Sequence, residues 1–458
     1  MTTKTTPTAT PKTIQLAAAL MVLVTTQAFA GVTPDEAAAL KSKLTPYGAE
    51  RAANAQGTIP AWDGKAPAVN PDAKGRRIDP YANEKPRFTI TAANVAEHAE
   101  QLSEGTKALF AKQPAFKIDV YPSHRTANFA QGVYDQVFKN ATRAKLTNDG
   151  LTVEGAFGGI PFPIPKDGNE AMWNHTLSYR GQVTNIVSDK YVMTASGDRI
   201  LTARSRTQRA VPYYDPAGTP EQNNGEVSRT RIDYLEPAAI SGQSLLSIEY
   251  VDSFAKQKDG WQYLPGQRRV RKSPSISHDA PDASGGGLVS FDDVNLFQGE
   301  QDQYNIKLVG KRELLIPANN NGLFAKPSKD VVNKGLLAPE AVRWELRRVW
   351  VVEMTLKEGK RNVQAKRRLY LDEDTWQAVV SDSWDAQGKL WRTGQAHTLL
   401  ASDQPMSMTV SYVIYDLQAG AYVYAAALHD TGSVQFGNYL AKELNKYSSA
   451  ALSSGGVR

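Results

Sequence analysis

"WELRRVWVVEMTL", Trp344 to Leu356, decides the fold. Trp344, Leu346, Arg348, Trp350, Val352, Met354 and Leu356 share one parity. Glu345, Arg347, Val349, Val351, Glu353 and Thr355 share the other. Strand side chains alternate between faces, so this period of two predicts a long strand with one mainly apolar face. The period recurs where Met406, Met408, Val410, Tyr412 and Ile414 alternate with Ser407, Thr409, Ser411, Val413 and Tyr415. It recurs again where Leu246, Ile248 and Tyr250 alternate with Ser247 and Glu249. Ser196-Gly197-Asp198, Lys258-Asp259-Gly260, Glu358-Gly359-Lys360 and Ala386-Gln387-Gly388 punctuate such runs with short turns. Short turns between strands specify an antiparallel meander, because a parallel pair needs a long crossover. Strands of roughly 8–10 residues twist and curl, and their apolar face must be covered. The predicted fold is mainly β (α+β): a large curved antiparallel sheet, an open half-barrel, with helices over its concave face.

The covering helices are expected in residues 31–150, an N-terminal helix and loop region that packs on a β domain of residues 151–458. Thr33-Pro34-Asp35-Glu36 has an N-cap threonine, a proline at the first position and acids in the first turn. Helices are also expected over 91–112 and 126–146, and near Tyr439–Tyr447, with residues 54–89 as loop. The Gly285-Gly286-Gly287 tract lacks the Lys-Ser/Thr of a phosphate loop and reads as flexible linker.

The 458 residues are 41% hydrophobic and 22% charged, enough for a sizeable core. The first thirty differ from the rest. Lys4 and Lys12 precede an apolar run from Ile14 to Val24, and Ala28 and Ala30 form an A-x-A site. This pattern is a signal peptide with predicted cleavage after Ala30, followed by a periplasmic protein without an integral membrane segment. Loss of the two lysines takes the net charge from +6 to +4, too small for a nucleic-acid binder. The chain has no cysteine, hence no disulfide framework and no lipobox.

The six histidines (98, 124, 175, 278, 397 and 429) form no H-x-x-x-H, and no G-x-S-x-G occurs, so the sequence points to no metal, no cofactor and no enzyme. The polar residues of "GGIPFPIPKDGNEAMWNH" (158–175) read as a structural corner: Pro161, Pro163 and Pro165 stiffen the entry. Asp167 and Glu170 then fit a capping box, opening a short helix that carries Trp173 and His175. No part of the cap requires His175. If that corner were catalytic instead, Glu170 and His175 would be the residues to test.

Basic pairs recur at Arg268-Arg269, Arg347-Arg348 and Lys366-Arg367-Arg368. Adjacent strand residues face opposite ways, so each pair sends one cation toward the apolar face. Arg348, flanked there by Leu346 and Trp350, is either ion-paired, with Asp372 or Glu353 as partner, or a headgroup contact. Trp344, Trp350, Met354, Met406, Met408 and Tyr412 are the candidate lining of a ligand cavity, since aromatic and methionine side chains adapt to varied apolar cargo. They are equally suited to a packed core.

"LTPYGAERAANAQGTIPAWDG" (44–64), the 158–175 stretch, "YLPGQRRVR" (263–271), "LVGKRELLIP" (308–317), "RWELRRVWVVE" (343–353) and "AKRRLYLDEDTWQ" (365–377) resemble a proteobacterial family. It is catalogued as a domain of unknown function, is often labelled outer-membrane lipoprotein-sorting protein, and is distantly similar to the lipoprotein localisation factors LolA and LolB. The resemblance implies a half-barrel around a lipid cavity. It also implies a soluble periplasmic shuttle for a lipid, acyl chain or other hydrophobic small molecule. The partner would be an inner-membrane exporter or an outer-membrane protein. The alternatives are an envelope adaptor that never holds lipid and a periplasmic hydrolase. The chain departs from the family where histidine is expected, with Arg347 and Asn362, and at Pro317-Ala318-Asn319.

Overall fold

The computed structural model describes residues 1–3, 5, 31–273 and 278–454. The predicted signal peptide and its cleavage site thus lie outside the described residues, apart from 1–3 and 5. The principal strands are β1 (Val183–Met193), β2 (Arg199–Ala210), β3 (Glu226–Glu236), β4 (Ser244–Tyr250), β5 (Asp259–Leu264) and β6 (Arg269–Lys272). They continue with β7 (Tyr304–Pro317), β8 (Trp344–Leu356), β9 (Lys366–Asp372), β10 (Ala378–Trp384), β11 (Leu390–Ala401), β12 (Met406–Asp416) and β13 (Ala421–Ala427). With three shorter strands they form one 16-stranded sheet. Its order is Phe88–Ile90, Ile118–Tyr121, β8 through β13, then β1 through β6. Strand β7 pairs with β8 and Gln435–Gly437 with β1, off that path. The two ends do not pair with each other, so the sheet is an open half-barrel.

The meander is antiparallel as its short turns require; among the described residues the exception is Ile118–Tyr121, which runs parallel to β8 with Val120 opposite Trp344. Register shifts at Leu308/Gly310, Lys190/Tyr191, His397/Thr398 and Tyr424/Ala427 mark irregularities of the bulge type, which strengthen twist and curl. Gly310 and Ala426 take positive φ at two of these places.

Both faces of β8 are buried. Trp344, Leu346, Val352 and Met354 enter the main core, while Val349 and Val351 join Leu314, Ile316, Val379 and Val380 in a second cluster. Full burial of each such side chain contributes about 1.5–3 kcal/mol. The face that carries Glu345 and Arg347 is therefore interior as well.

The helices are shorter than their sequence signals. Thr33 and Glu36 form the expected capping box on Pro34–Ala38. The stretch predicted as one helix over 91–112 breaks at Leu102, because the Ser103 hydroxyl accepts from the Thr106 amide and starts a new helix, α1 (Glu104–Lys112). Helix α2 covers Gln131–Arg143 and α3 covers Gly168–Thr176. Helix α1 packs on β10 and β11, and α3 on β7 and β8. Near the C-terminus, a 3-10 turn at Ala441–Tyr447 leads into the helix Ser449–Ser454, which lies on β4, β5 and β6.

A strap unforeseen by periodicity completes the cover. Residues 278–303 cross the sheet as three short turns, Ala283–Gly285, Phe291–Leu296 and Gln301–Gln303. The Gly285–Gly287 tract, expected as flexible linker, belongs to this strap. Gly285 is buried, and a Cβ there would stand 2.3 Å from the Val289 side chain.

Candidate functional site

The sheet is packed in one half and hollow in the other. A cavity of about 290 Å³ lies between the strap and strands β12, β13 and β1 through β4. The cause is side-chain size. On β1 the inward residues are Thr184, Ile186, Ser188 and Lys190; on β2 they are Ala203, Ser205, Thr207 and Arg209. Strand β3 adds Thr230, Ile232 and Tyr234, and β4 adds Leu245, Ser247 and Glu249. Rows of Ser, Thr and Ala leave the space between sheet and strap unfilled, where larger residues would close the gap.

Polar ties fasten the strap. Lys190 bonds Asp282 and, at 2.7 Å, the Ser284 hydroxyl. Gln298 donates to Glu249 at 2.6 Å, and the Lys258 amide donates to Glu300 at 2.8 Å. Glu249 also accepts from Ser228 at 2.8 Å and pairs with Lys258 at 3.1 Å. Burial opposes its ionisation, but Lys258, the nearby charge of Arg209 and the bonds from Gln298 and Ser228 hold its carboxyl at about 2. Behind the strap, Arg367 reaches Asp292 at 2.5 Å and Asp293 at 3.0 Å, and Arg392 also reaches Asp293 at 3.0 Å.

Two cations on the cavity wall are treated differently. The guanidinium groups of Arg180 and Arg209 make no hydrogen bond and no ion pair among the described residues, and the buried Arg180 Nε has no acceptor. Burial lowers the pKa of both, that of Arg180 to about 10 with Arg209 adding to the shift.

The sequence-predicted residues divide. Met408 and Tyr412 line the cavity. Trp344, Met354 and Met406 do not; they are 1%, 0% and 2% exposed in the main core. Trp350 stacks on Trp376 with ring centroids 5.8 Å apart and lies outside the lining as well. The Arg348 guanidinium donates twice to the Ala52 carbonyl at 3.0 Å and stands 3.7 Å from Glu50, away from the cavity residues. Arg180 and Arg209 carried no motif. The signal available for the cavity was the run of small residues alternating along β1 and β2.

The corner has a mechanical role. Asp167 accepts from the Glu170 amide at 2.9 Å. The Glu170 carboxylate reaches one residue further back than a capping box requires, to the Lys166 amide at 2.6 Å, and burial raises its pKa to about 7. Trp173 donates to the Gly150 carbonyl at 2.8 Å. His175 ties α3 to the strap and to β10: its Nδ1 accepts from the Ala378 amide at 3.1 Å, so Nε2 carries the proton and donates to the Phe297 carbonyl at 2.9 Å. Burial keeps the ring neutral, with a pKa of about 3. His175→Ala leaves both backbone groups unpaired and is expected to lower stability by about 2 kcal/mol at neutral pH. Urea unfolding of parent and variant measures it, and equal midpoints would show that the two bonds are replaceable.

A larger cleft of about 480 Å³ lies between residues 76–84 and 319–326. Its arginines are already engaged: Arg77 with Asp403 at 2.7 Å, Arg343 with Glu345 at 2.8 Å and with Glu84 at 2.6 Å. Among the described residues no helix is long and apolar enough to cross a membrane.

The family model described as "Protein of unknown function (DUF1329)" matches residues 89–453. The chain belongs to the DUF1329 family. It is also similar to the uncharacterized protein PA3922 of Pseudomonas aeruginosa, with 37% identity over 449 residues, 95% of this chain and 96% of that one. Solved structures similar to it include a DUF1329 family protein from Desulfovibrio piger, at 14% identity and a TM-score of 0.41 over 62% of this chain and 95% of that chain. Another is the LolA superfamily protein NE2245 from Nitrosomonas europaea, at 12% identity and a TM-score of 0.35 over 61% and 97%. Of the positions where this DUF1329 chain lacks an expected histidine, Arg347 sits among buried carboxylates, and Asn362 donates to Asp292 and Gln303 at the base of the strap.

Proposed function

We propose that this DUF1329 protein carries a small hydrophobic or amphipathic molecule beneath its strap. The observation that supports the reading is the void itself. An adaptor whose work is done by its outer surface gains nothing from a hollow, and unfilled interior space costs stability. At about 290 Å³ the space lies at the lower end of pockets that enclose one small molecule, roughly 300–1,000 Å³. That size suits a single chain. The driving force is desolvation, about 0.8 kcal/mol for each methylene taken out of water. The strap, held by side-chain ties, is the element that opens for entry and release.

The signal-peptide pattern of the N-terminal segment supports an exchange in the periplasm, and the proposed donor or acceptor of cargo is an exporter or an outer-membrane protein. A fluorescent fatty acid should bind the mature protein with one-to-one stoichiometry. Thr207→Trp, which fills the cavity from the sheet side, should abolish the uptake without unfolding the protein. A parent protein that takes up no fatty acid and carries no small molecule in native mass spectra overturns the reading.

A further inference from the structure

We infer that the cargo bears an anionic head, a carboxylate or a phosphate, seated between Arg180 and Arg209; the inference rests on the carrier reading. Elsewhere in this chain a buried guanidinium meets a carboxylate. Arg125 reaches Asp374 at 2.6 Å, Arg347 reaches the same residue at 2.7 Å, and Arg367 reaches Asp292 at 2.5 Å. Arg180 and Arg209 depart from that pattern. Their guanidinium groups share one cavity, with no hydrogen-bond or ion-pair partner among the described residues.

The nearby carboxylates make no hydrogen bond or ion pair with either guanidinium; the charge of Glu249 favours both cations but does not offset their burial. Glu249 is committed to Lys258, Ser228 and Gln298, and Asp282 to Lys190 and Ser284. Two guanidinium groups facing one low-dielectric space repel each other and lose hydration together. An oxyanion between them removes both penalties and accepts several charge-assisted hydrogen bonds, for which the planar guanidinium fork is suited.

Position supports the same assignment. Arg209 lies opposite Thr184, near the start of β1, and Arg180 comes just before that strand. The inward row then runs through Thr207 and Ser205 to Ala203, about 20 Å of strand at ~3.4 Å per residue. Ile186, Ile232 and Leu245 flank it. The cavity thus has one end with two unpaired cations and an uncharged trough leading from it toward the neutralised Lys190–Asp282 pair beside Ala203, the complement of a single-chain anionic amphiphile.

The test is competition for the fluorescent fatty-acid probe by palmitate, palmityl phosphate and palmityl alcohol. These share one chain and differ in the head. At least one anion should compete on the order of tenfold to a hundredfold better than the alcohol, and the better anion identifies the head group. Arg180→Met and Arg209→Met should each erode that preference and leave alcohol binding in place. Without ligand, Arg180→Met should melt no lower than the parent, because it removes a desolvated charge that has no hydrogen-bonded partner. If the alcohol competes as well as both anions, or if Arg180→Met melts well below the parent, the head-group assignment fails while the carrier reading stands. If the probe itself does not bind, the carrier reading fails.

Discussion

Arg347→Met should cost the fold about 3–5 kcal/mol, the range for breaking a buried ion pair on one side only. Arg347 sits in β8 on the face shared with Glu345. It donates to Asp374 at 2.7 Å, to Glu345 at 3.3 Å and to the His124 carbonyl at 2.7 Å, and it stands 3.7 Å from Asp372. All of these side chains are buried. Arg125 and Arg343 remain after the substitution, paired with Asp374 and Glu345, so Asp372 loses its cation. Burial already raises the Asp372 carboxyl to about 6 with Arg347 opposing. Without Arg347 its pKa rises further, and the native state holds that proton while the unfolded chain, titrating near 4, releases it. The native protein then binds more protons than the unfolded one between those values, so the deficit grows as pH rises. Urea unfolding at pH 8 and at pH 5 should show the larger loss at pH 8. A loss equal at both values would mean that Asp372 is not the group left stranded.

Arg367→Met should be comparably severe, about 3–5 kcal/mol, for the same reason in a different place. Arg367 is 2% exposed and joins β9 to the strap through Asp292 and Asp293, with its guanidinium 5.2 Å from the centre of the Phe297 ring. Arg392 still reaches Asp293, but Asp292 keeps only a 3.3 Å contact with Asn362. The strap should therefore loosen before the sheet does. Limited proteolysis should cut the variant within residues 278–303 under conditions that spare the parent, and fatty-acid uptake should fall. A variant with parental stability and no new cleavage would place the anchorage of the strap elsewhere.

The sheet was legible because alternation is a local property. Trp344 to Leu356 and Met406 to Tyr415 announce strands whatever they pair with. The cap at Asp167 was legible for the same reason. What escaped depended on contacts far along the chain. The inner role of Arg347 needed Asp374 and Arg125, and the role of His175 needed Phe297 and Ala378. The strap has no period and no apolar stripe, so its Gly285–Gly287 tract looked like linker. The placement of the cavity turned on a rule of reading. Large apolar residues such as Trp344 and Met354 fill space, and the hollow lies where Ser188, Ala203, Ser205 and Thr207 leave it empty.

The pairing of β1 with β13 has a consequence for how the chain reaches this shape. Tyr191 lies opposite Tyr424, 233 positions later in the sequence. Contacts this distant carry a large loop-closure entropy before they return any stabilisation, so folding dominated by them is slow. A chain emerging N-terminus first can form the β1–β6 meander from neighbouring hairpins, yet one edge of β1 stays bare until residues 421–427 arrive. The hollow half is thus the last to be completed, and an unpaired edge exposed for that interval invites self-association or the attention of a chaperone.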